Sequence, residues 1–288
     1  MKRQIAIAAA AAVAALLYTS AFAADMATKA PPSPSAPSSD WTGLYVGANG
    51  GWGGKDPTVT FTPGDPLANG VTCTGGLGGG ACPPSASFNL NGGLGGFQIG
   101  YNRQINQNWL VGAEADFDWS TIKGTGTDSF RLVFDPSSSF VASENVKWFG
   151  TVRARVGFLP LNNVLLYGTA GLAYGRVDTN VGLNSTVTEA NGVTSFNCTF
   201  AGGPGARNCF VGNSSRTQAG FAVGGGGEYL LWHNVSLKAE YLYVDLGDGA
   251  KTNVVARVPF GPTPPTSFIA GYSSVIFQTV RAGLNWKF

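Results

Sequence analysis

The residues able to do chemistry in this chain are ionic side chains spaced two apart. Glu114, Asp116 and Asp118 alternate along one stretch, and Lys147, Arg153 and Arg155 share one phase of the next. Paired carboxylates can act as general acid and base, but a carboxylate facing a cation is equally an ion-pair partner. The basic stretch that follows explains the acidic one as its counter-charge. Hydrolysis through a covalent intermediate needs a nucleophile held against a base. The single histidine, His233, falls in a short turn with no serine partner in the pattern around it. Gly76-Leu77-Gly78-Gly79-Gly80-Ala81 imitates a dinucleotide turn but lacks the preceding strand and following helix that such a turn requires. We expect no enzyme, no cofactor and no metal.

Cysteine is the other reactive type. Cys73 and Cys82 lie in one long connection, Cys198 and Cys209 in another. Four cysteines in an exported chain suggest disulfides, with three connectivities open. Pairing 73 with 82 and 198 with 209 is the simplest, since each bridge closes a short loop. Zinc is the rival, although no CxxC spacing or nearby histidine supports it.

Export is itself legible. Lys2 and Arg3 precede the apolar run Ile5 to Leu17, and Ala21-Phe22-Ala23 follows as a small-x-small cleavage pattern. Residues 1–23 therefore read as a signal peptide, and the Pro- and Ser-rich residues 24–40 as a flexible periplasmic lead-in. Only 12% of the 288 residues are charged, about half the usual share of ~25%. Removing the signal leaves 16 basic and 16 acidic residues. A neutral chain lacks the basic footprint of a nucleic-acid binder, so we expect no nucleic-acid partner.

The elements that position the ions are strands. At 109–119, Trp109, Val111, Ala113, Ala115, Phe117 and Trp119 share one face, and Glu114, Asp116 and Asp118 the other. Successive strand side chains point to opposite faces. Residues 146–158 repeat this with Val146, Trp148, Val152 and Val156 opposite Lys147, Arg153 and Arg155. At 235–243 the polar face carries Lys238 and Glu240, and at 276–288 it carries Arg281. Glycine-diluted strands at 41–52, 93–103, 164–176 and 217–230, the last with Glu228, bring the number to eight.

Connections near 104–108, 159–163 and 232–234 are short; those near 53–92, 120–145, 177–216 and 244–275 are long. Short turns on one side and long loops on the other, with an even number of strands, predict an all-β, eight-stranded antiparallel up-and-down transmembrane barrel at 41–288. Trp41, Trp109, Trp232 and Trp286 fall at the short-turn ends, and Trp52, Trp119 and Trp148 at the long-loop ends. We expect them to form two interfacial girdles. The lumen then receives Glu114, Asp116, Asp118, Lys147, Arg153, Arg155, Glu228, Lys238, Glu240 and Arg281. An eight-stranded barrel is about wide enough for side chains to fill it, so these ten predict a salt-bridged plug, with a selective pore as the alternative. Loop segments such as 130–142 could add strands and widen it.

Three stretches resemble a known family. Asp40-Trp41-Thr42-Gly43-Leu44-Tyr45-Val46-Gly47 is similar to the opening strand of the small surface-antigen or porin-like outer-membrane barrels of alphaproteobacteria, barrels like the transmembrane domain of OmpA. Leu166-Tyr167-Gly168-Thr169-Ala170-Gly171-Leu172-Ala173-Tyr174-Gly175 resembles an inner strand of theirs, and Val280 to Phe288 their closing strand. The resemblance covers nearly the whole mature chain and implies an outer-membrane location in contact with the lipid bilayer. It further implies that Leu284, Trp286 and Phe288 are the signal read by the barrel-assembly machinery, and that haem or host-surface binding occurs among such proteins. No residue cluster here points to haem, and the extracellular ligand of the loops stays unknown. We therefore expect a non-enzymatic structural and surface protein, with a small-solute channel or a surface receptor or adhesin as alternatives. The two cysteine pairs and the loop lengths depart from the family pattern.

Overall fold

Alternation gives each strand two unlike faces, and in a barrel wall that crosses lipid such strands need both edges paired and each face meeting its own kind. A computed structural model, which describes residues 40–64, 85–132, 135–185, 207–256 and 267–288, satisfies both conditions. Twelve strands are present among them: β1 (Gly43–Lys55), β2 (Thr58–Pro63), β3 (Ala86–Ser87), β4 (Leu90–Gln104), β5 (Trp109–Leu132), β6 (Asp135–Leu161), β7 (Val164–Ser185), β8 (Arg207–Trp232), β9 (Val235–Asp245), β10 (Lys251–Ala256), β11 (Ser267–Tyr272) and β12 (Ile276–Lys287). Eight of these pair antiparallel in the cyclic order β1-β4-β5-β6-β7-β8-β9-β12, and β12 returns to β1 over Tyr45↔Lys287 to Gly54↔Gln278. The ring is closed, so its backbone donors and acceptors have no exposed edge.

The short turns are tight and self-satisfied. In the first, Asn106 Oδ1 accepts from the Asn108 and Trp109 amides at 2.9 Å each, an arrangement to which Asn is suited. Outside the ring, Phe97, Val152, Leu172 and Val280 are each more than half exposed. Along β5 the apolar outer row runs from Trp109 to Trp119, about 34 Å at ~3.4 Å per residue. Tilted by about 45°, that row rises roughly 24 Å, close to the ~25 Å apolar band of outer-membrane barrels.

Above the outer tryptophans the faces exchange character. On β5, Thr121, Lys123 and Thr125 now point outward while Ile122 is buried. β5 to β8 continue upward, and β10, β11, β2 and β3 pair onward from β8 to complete the wall. Inside this upper lobe the Phe61 ring packs tilted against Phe140 at 4.7 Å and Phe210 packs edge-to-face against Phe268 at 5.2 Å. Phe149 and Phe277, 5.1 Å apart, form the floor of that apolar core. The described part of the connection at 120–145 is thus strand rather than loop, and the described part of 244–275 contains β10 and β11. Segment 130–142 adds no strand of its own: it continues β5 and β6 into one long hairpin. The four additional strands raise the wall above the belt and leave the ring at eight.

The structure departs from two of the sequence expectations. Lys147 does not face the interior. A β-bulge between Val146 and Trp148 inserts one residue into β6, which turns Val146 inward and leaves Lys147 outside with a 47% exposed side chain. Strict alternation across 146–158 therefore puts Val146 and Lys147 on the wrong faces. Trp41 does not belong to the outer girdle either. It is 5% exposed and packs with Leu110, Leu159, Leu165 and Tyr167 inside the short-turn mouth. Its indole N–H donates to the Asn162 carbonyl at 3.0 Å. Lying before the first residue of β1, Trp41 is not bound by the strand's alternation and folds across the opening.

The predicted signal peptide, the lead-in up to residue 39, and Cys73, Cys82 and Cys198 lie outside the described residues. Cys209 lies on β8, and the disulfide expectation as a whole falls outside what is described.

Candidate functional site

Cross-strand register brings the ions together. Glu114 on β5 stands opposite Arg153 on β6, Glu228 on β8 opposite Lys238 on β9, and Arg281 on β12 opposite Glu240 on β9. Directly opposed side chains on one face have Cβ atoms about 5 Å apart. The ring is narrow enough for each side chain also to reach strands across the barrel.

Arg153 is the hub. Its Nη2 lies 2.8 Å from Glu114 Oε1 and 2.7 Å from Asp116 Oδ2, and its Nη1 2.9 Å from Glu240 Oε1. Its Nε donates to Thr151 Oγ1 at 2.7 Å, and that hydroxyl donates to Asp116 Oδ2 at 2.8 Å. Arg281 repeats the motif from the far wall, 2.7 Å from both Asp116 and Asp118 and 2.6 Å from Glu240. Lys238 Nζ lies 2.6 Å from Glu114 Oε1. Nearer the short-turn mouth, Arg155 lies 2.6 Å from Glu228 Oε1, and its Nη1 donates to the Tyr45 hydroxyl at 2.8 Å. Tyr45 in turn donates to Glu114 Oε2 at 2.7 Å. The Arg155 guanidinium sits 3.8 Å from the centre of the Tyr167 ring, a cation–π contact in a desolvated setting.

Nine of the ten sequence-predicted interior ions meet in this cluster; Lys147 is the exception. The alternation pattern gives no sign of Tyr45 and Tyr167 as its bridging phenols, because a tyrosine suits either face. Glycine is the missing signal. A Cβ at Gly100 would collide with the Tyr45 hydroxyl, and one at Gly226 would lie 2.7 Å from the Tyr167 hydroxyl, so these glycines make room for the two rings. Also absent from the sequence reading is Lys55, whose Nζ lies 2.8 Å from Glu144 Oε1 inside the upper lobe. Burial pushes the Glu144 carboxyl above its ordinary range and the Lys55 ammonium below its own, each only partly offset by its partner.

The cluster is dry. Side chains of the nine ions are 0–3% exposed. Below them Trp41, Leu110, Leu159 and Leu165 pack together in the mouth; above them stand Phe149 and Phe277. Five carboxylates face four cations, and Asp116 Oδ1 and Asp118 Oδ1 have no protein partner. Among the described residues no grouping of His, Cys, Asp and Glu has the makings of a metal site.

On the outer surface Trp109, Trp232 and Trp286 ring the short-turn end, and Trp52 and Trp119 the other end, all 48–68% exposed. Trp148, half-buried, stacks on Phe117 at 5.4 Å. Leu284, Trp286 and Phe288, 51–70% exposed, line the outward face of β12 and its end.

A closed eight-strand ring, apolar outside and ionic within, defines a membrane-spanning β-barrel. Residues 9–288 match the family described as the outer membrane protein beta-barrel domain, and the chain belongs to that family of outer-membrane proteins. It is 34% identical over 283 residues to the 31 kDa outer-membrane immunogenic protein of Brucella melitensis, covering 96% of this chain and 98% of that one. Among solved structures it is similar to Neisserial surface protein A, at 16% identity and a TM-score of 0.35, over 86% of this chain and 98% of that one. It is also similar to the outer-membrane protease OmpT of Escherichia coli, at 11% identity and a TM-score of 0.43, over 89% of this chain and 99% of that one.

Proposed function

We propose that this outer-membrane barrel is a non-enzymatic structural and surface protein whose interior is a solid ionic pillar rather than a channel. The observation that carries this reading is the burial of the cluster: ions exposed by 0–3%, with apolar side chains packed below and above them. A diffusion pore needs a water-filled cross-section, and a hydrolase needs a reactive pair open to substrate. The aspartates of the pair Asp116 and Asp118 instead hold arginines. The upper lobe, raised well past the outer tryptophans, is then the part that meets the exterior. The name of the Brucella relative, an immunogenic outer-membrane protein, agrees with a surface role. In this reading residues 1–23 direct export, the exposed tryptophans form interfacial girdles, and Leu284, Trp286 and Phe288 are what the assembly machinery reads on β12.

Recording from the purified, folded protein in planar bilayers tests the pillar. The membrane should remain electrically silent across the voltage range used for porins. Stepwise, reproducible conductance from heat-modifiable, folded protein would establish a channel instead.

A further inference from the structure

The upper edge of the lipid-facing band is unevenly charged. Strand register sets Lys123 on β5 opposite Asn145 on β6, Asn145 opposite Asp178 on β7, and Asp178 opposite Ser215 on β8. One step lower, Trp119 is opposite Trp148, and Trp148 opposite Arg176. Lys147 projects from the bulge between these two rows. Three cations are therefore gathered on adjacent strands, Lys123 and Lys147 above two interfacial tryptophans and Arg176 level with them, with Asp178 as the carboxylate among them.

That carboxylate holds its neighbours loosely. Lys147 Nζ is 3.9 Å and Arg176 Nε 3.5 Å from Asp178, against 2.6–2.9 Å for the tightest pairs of the interior. The side chains of Lys147 and Arg176 are 47% and 51% exposed. Ser215 Oγ accepts from Arg176 and donates to Asp178, which fixes the guanidinium's base while leaving the rest of its fork open. Toward the upper end of β9 the charge is reversed, with Asp245 and the exposed Asp248. Amphipathic rings mark the headgroup level of a bilayer, so the basic patch lies at the depth of lipid phosphates. A guanidinium fork and flanking ammonium groups are the side chains that recognise phosphate.

We propose that the outward face of β5, β6 and β7, through Lys123, Lys147 and Arg176, binds the phosphate groups of an outer-leaflet glycolipid. This rests on the outer-membrane location and not on the sealed interior, so a conducting barrel would leave it standing. The test compares diphosphoryl lipid A with the same lipid after phosphatase treatment, each titrated into the folded full-length protein in detergent and followed by native mass spectrometry. The wild type should bind the phosphorylated lipid at least tenfold more tightly. The combined variant Lys123→Gln, Lys147→Gln, Arg176→Gln should lose that preference, while Lys251→Gln, an exposed site elsewhere, should keep it. Equal affinity for the two lipids, or an unchanged preference in the triple variant, would overturn the proposal; so would full displacement of the lipid by an equal concentration of inorganic phosphate. Should the triple variant fail to fold by gel shift, the wild type in low and high salt decides: a preference indifferent to salt overturns the proposal as well.

Discussion

An arginine taken out of water is costly, by several kcal/mol even after relaxation, unless every donor finds an anion or a lone pair. Arg153 meets that condition with three carboxylates and a threonine hydroxyl. Removing it would leave Glu114, Asp116 and Glu240 facing one another without their common counter-ion. Arg153→Met should therefore cost about 3–5 kcal/mol, the scale for breaking one partner out of a buried pair. Lys147→Met, outside the wall with one loose partner, should change stability by less than about 1 kcal/mol. Urea unfolding of both variants in lipid vesicles checks the contrast, and equal midpoints would place the two side chains in the same environment. Sequence made the interior ions legible because period-two alternation is unambiguous wherever one face is apolar and the other charged. It failed at Lys147, since a bulge shifts the phase by one without changing composition.

At the level of elements, the strands of the membrane band follow from alternation, while those of the upper lobe do not. Above the belt the rule reverses, polar outward and apolar inward, so a reader tracking apolar-out strands sees the pattern end at Trp119 and assigns the remainder to loop. Short strands such as β3 and β10 are supported by pairing partners distant in sequence, which no local pattern records. Trp41 shows the same blindness at the other mouth: its type suits a girdle, and only the chain's turn across the barrel end buries it. The upper lobe also contains an ion pair it does not need for closure. Glu144 is held above the ordinary carboxylate range and Lys55 below the ordinary amine range, both by burial, so each resists the charge it carries in the pair. Replacing the two together, Lys55→Met with Glu144→Leu, should leave thermal stability unchanged or raise it, as for other buried pairs exchanged for apolar groups of similar size. Glu144→Leu alone strands the ammonium and should lower it. A double variant less stable than the wild type would mean the pair stabilises the lobe outright.

On the scale of the whole molecule, the barrel is an inverted protein across the membrane band and an ordinary one above it. Lipid replaces the core that a soluble barrel would keep inside, and the interior is filled by paired ions and the neutral polar groups among them. The proposed pillar, the proposed girdles and the proposed lipid contact all depend on that single inversion. Tryptophan fluorescence in bilayers of brominated phospholipid reads it directly. The intact protein should be strongly quenched through its outward tryptophans, whereas a variant retaining Trp41 alone, buried in the mouth against Leu110 and Leu165, should be quenched little. Emission from the intact protein that ignores the bromines, or strong quenching of Trp41 by itself, would contradict the account.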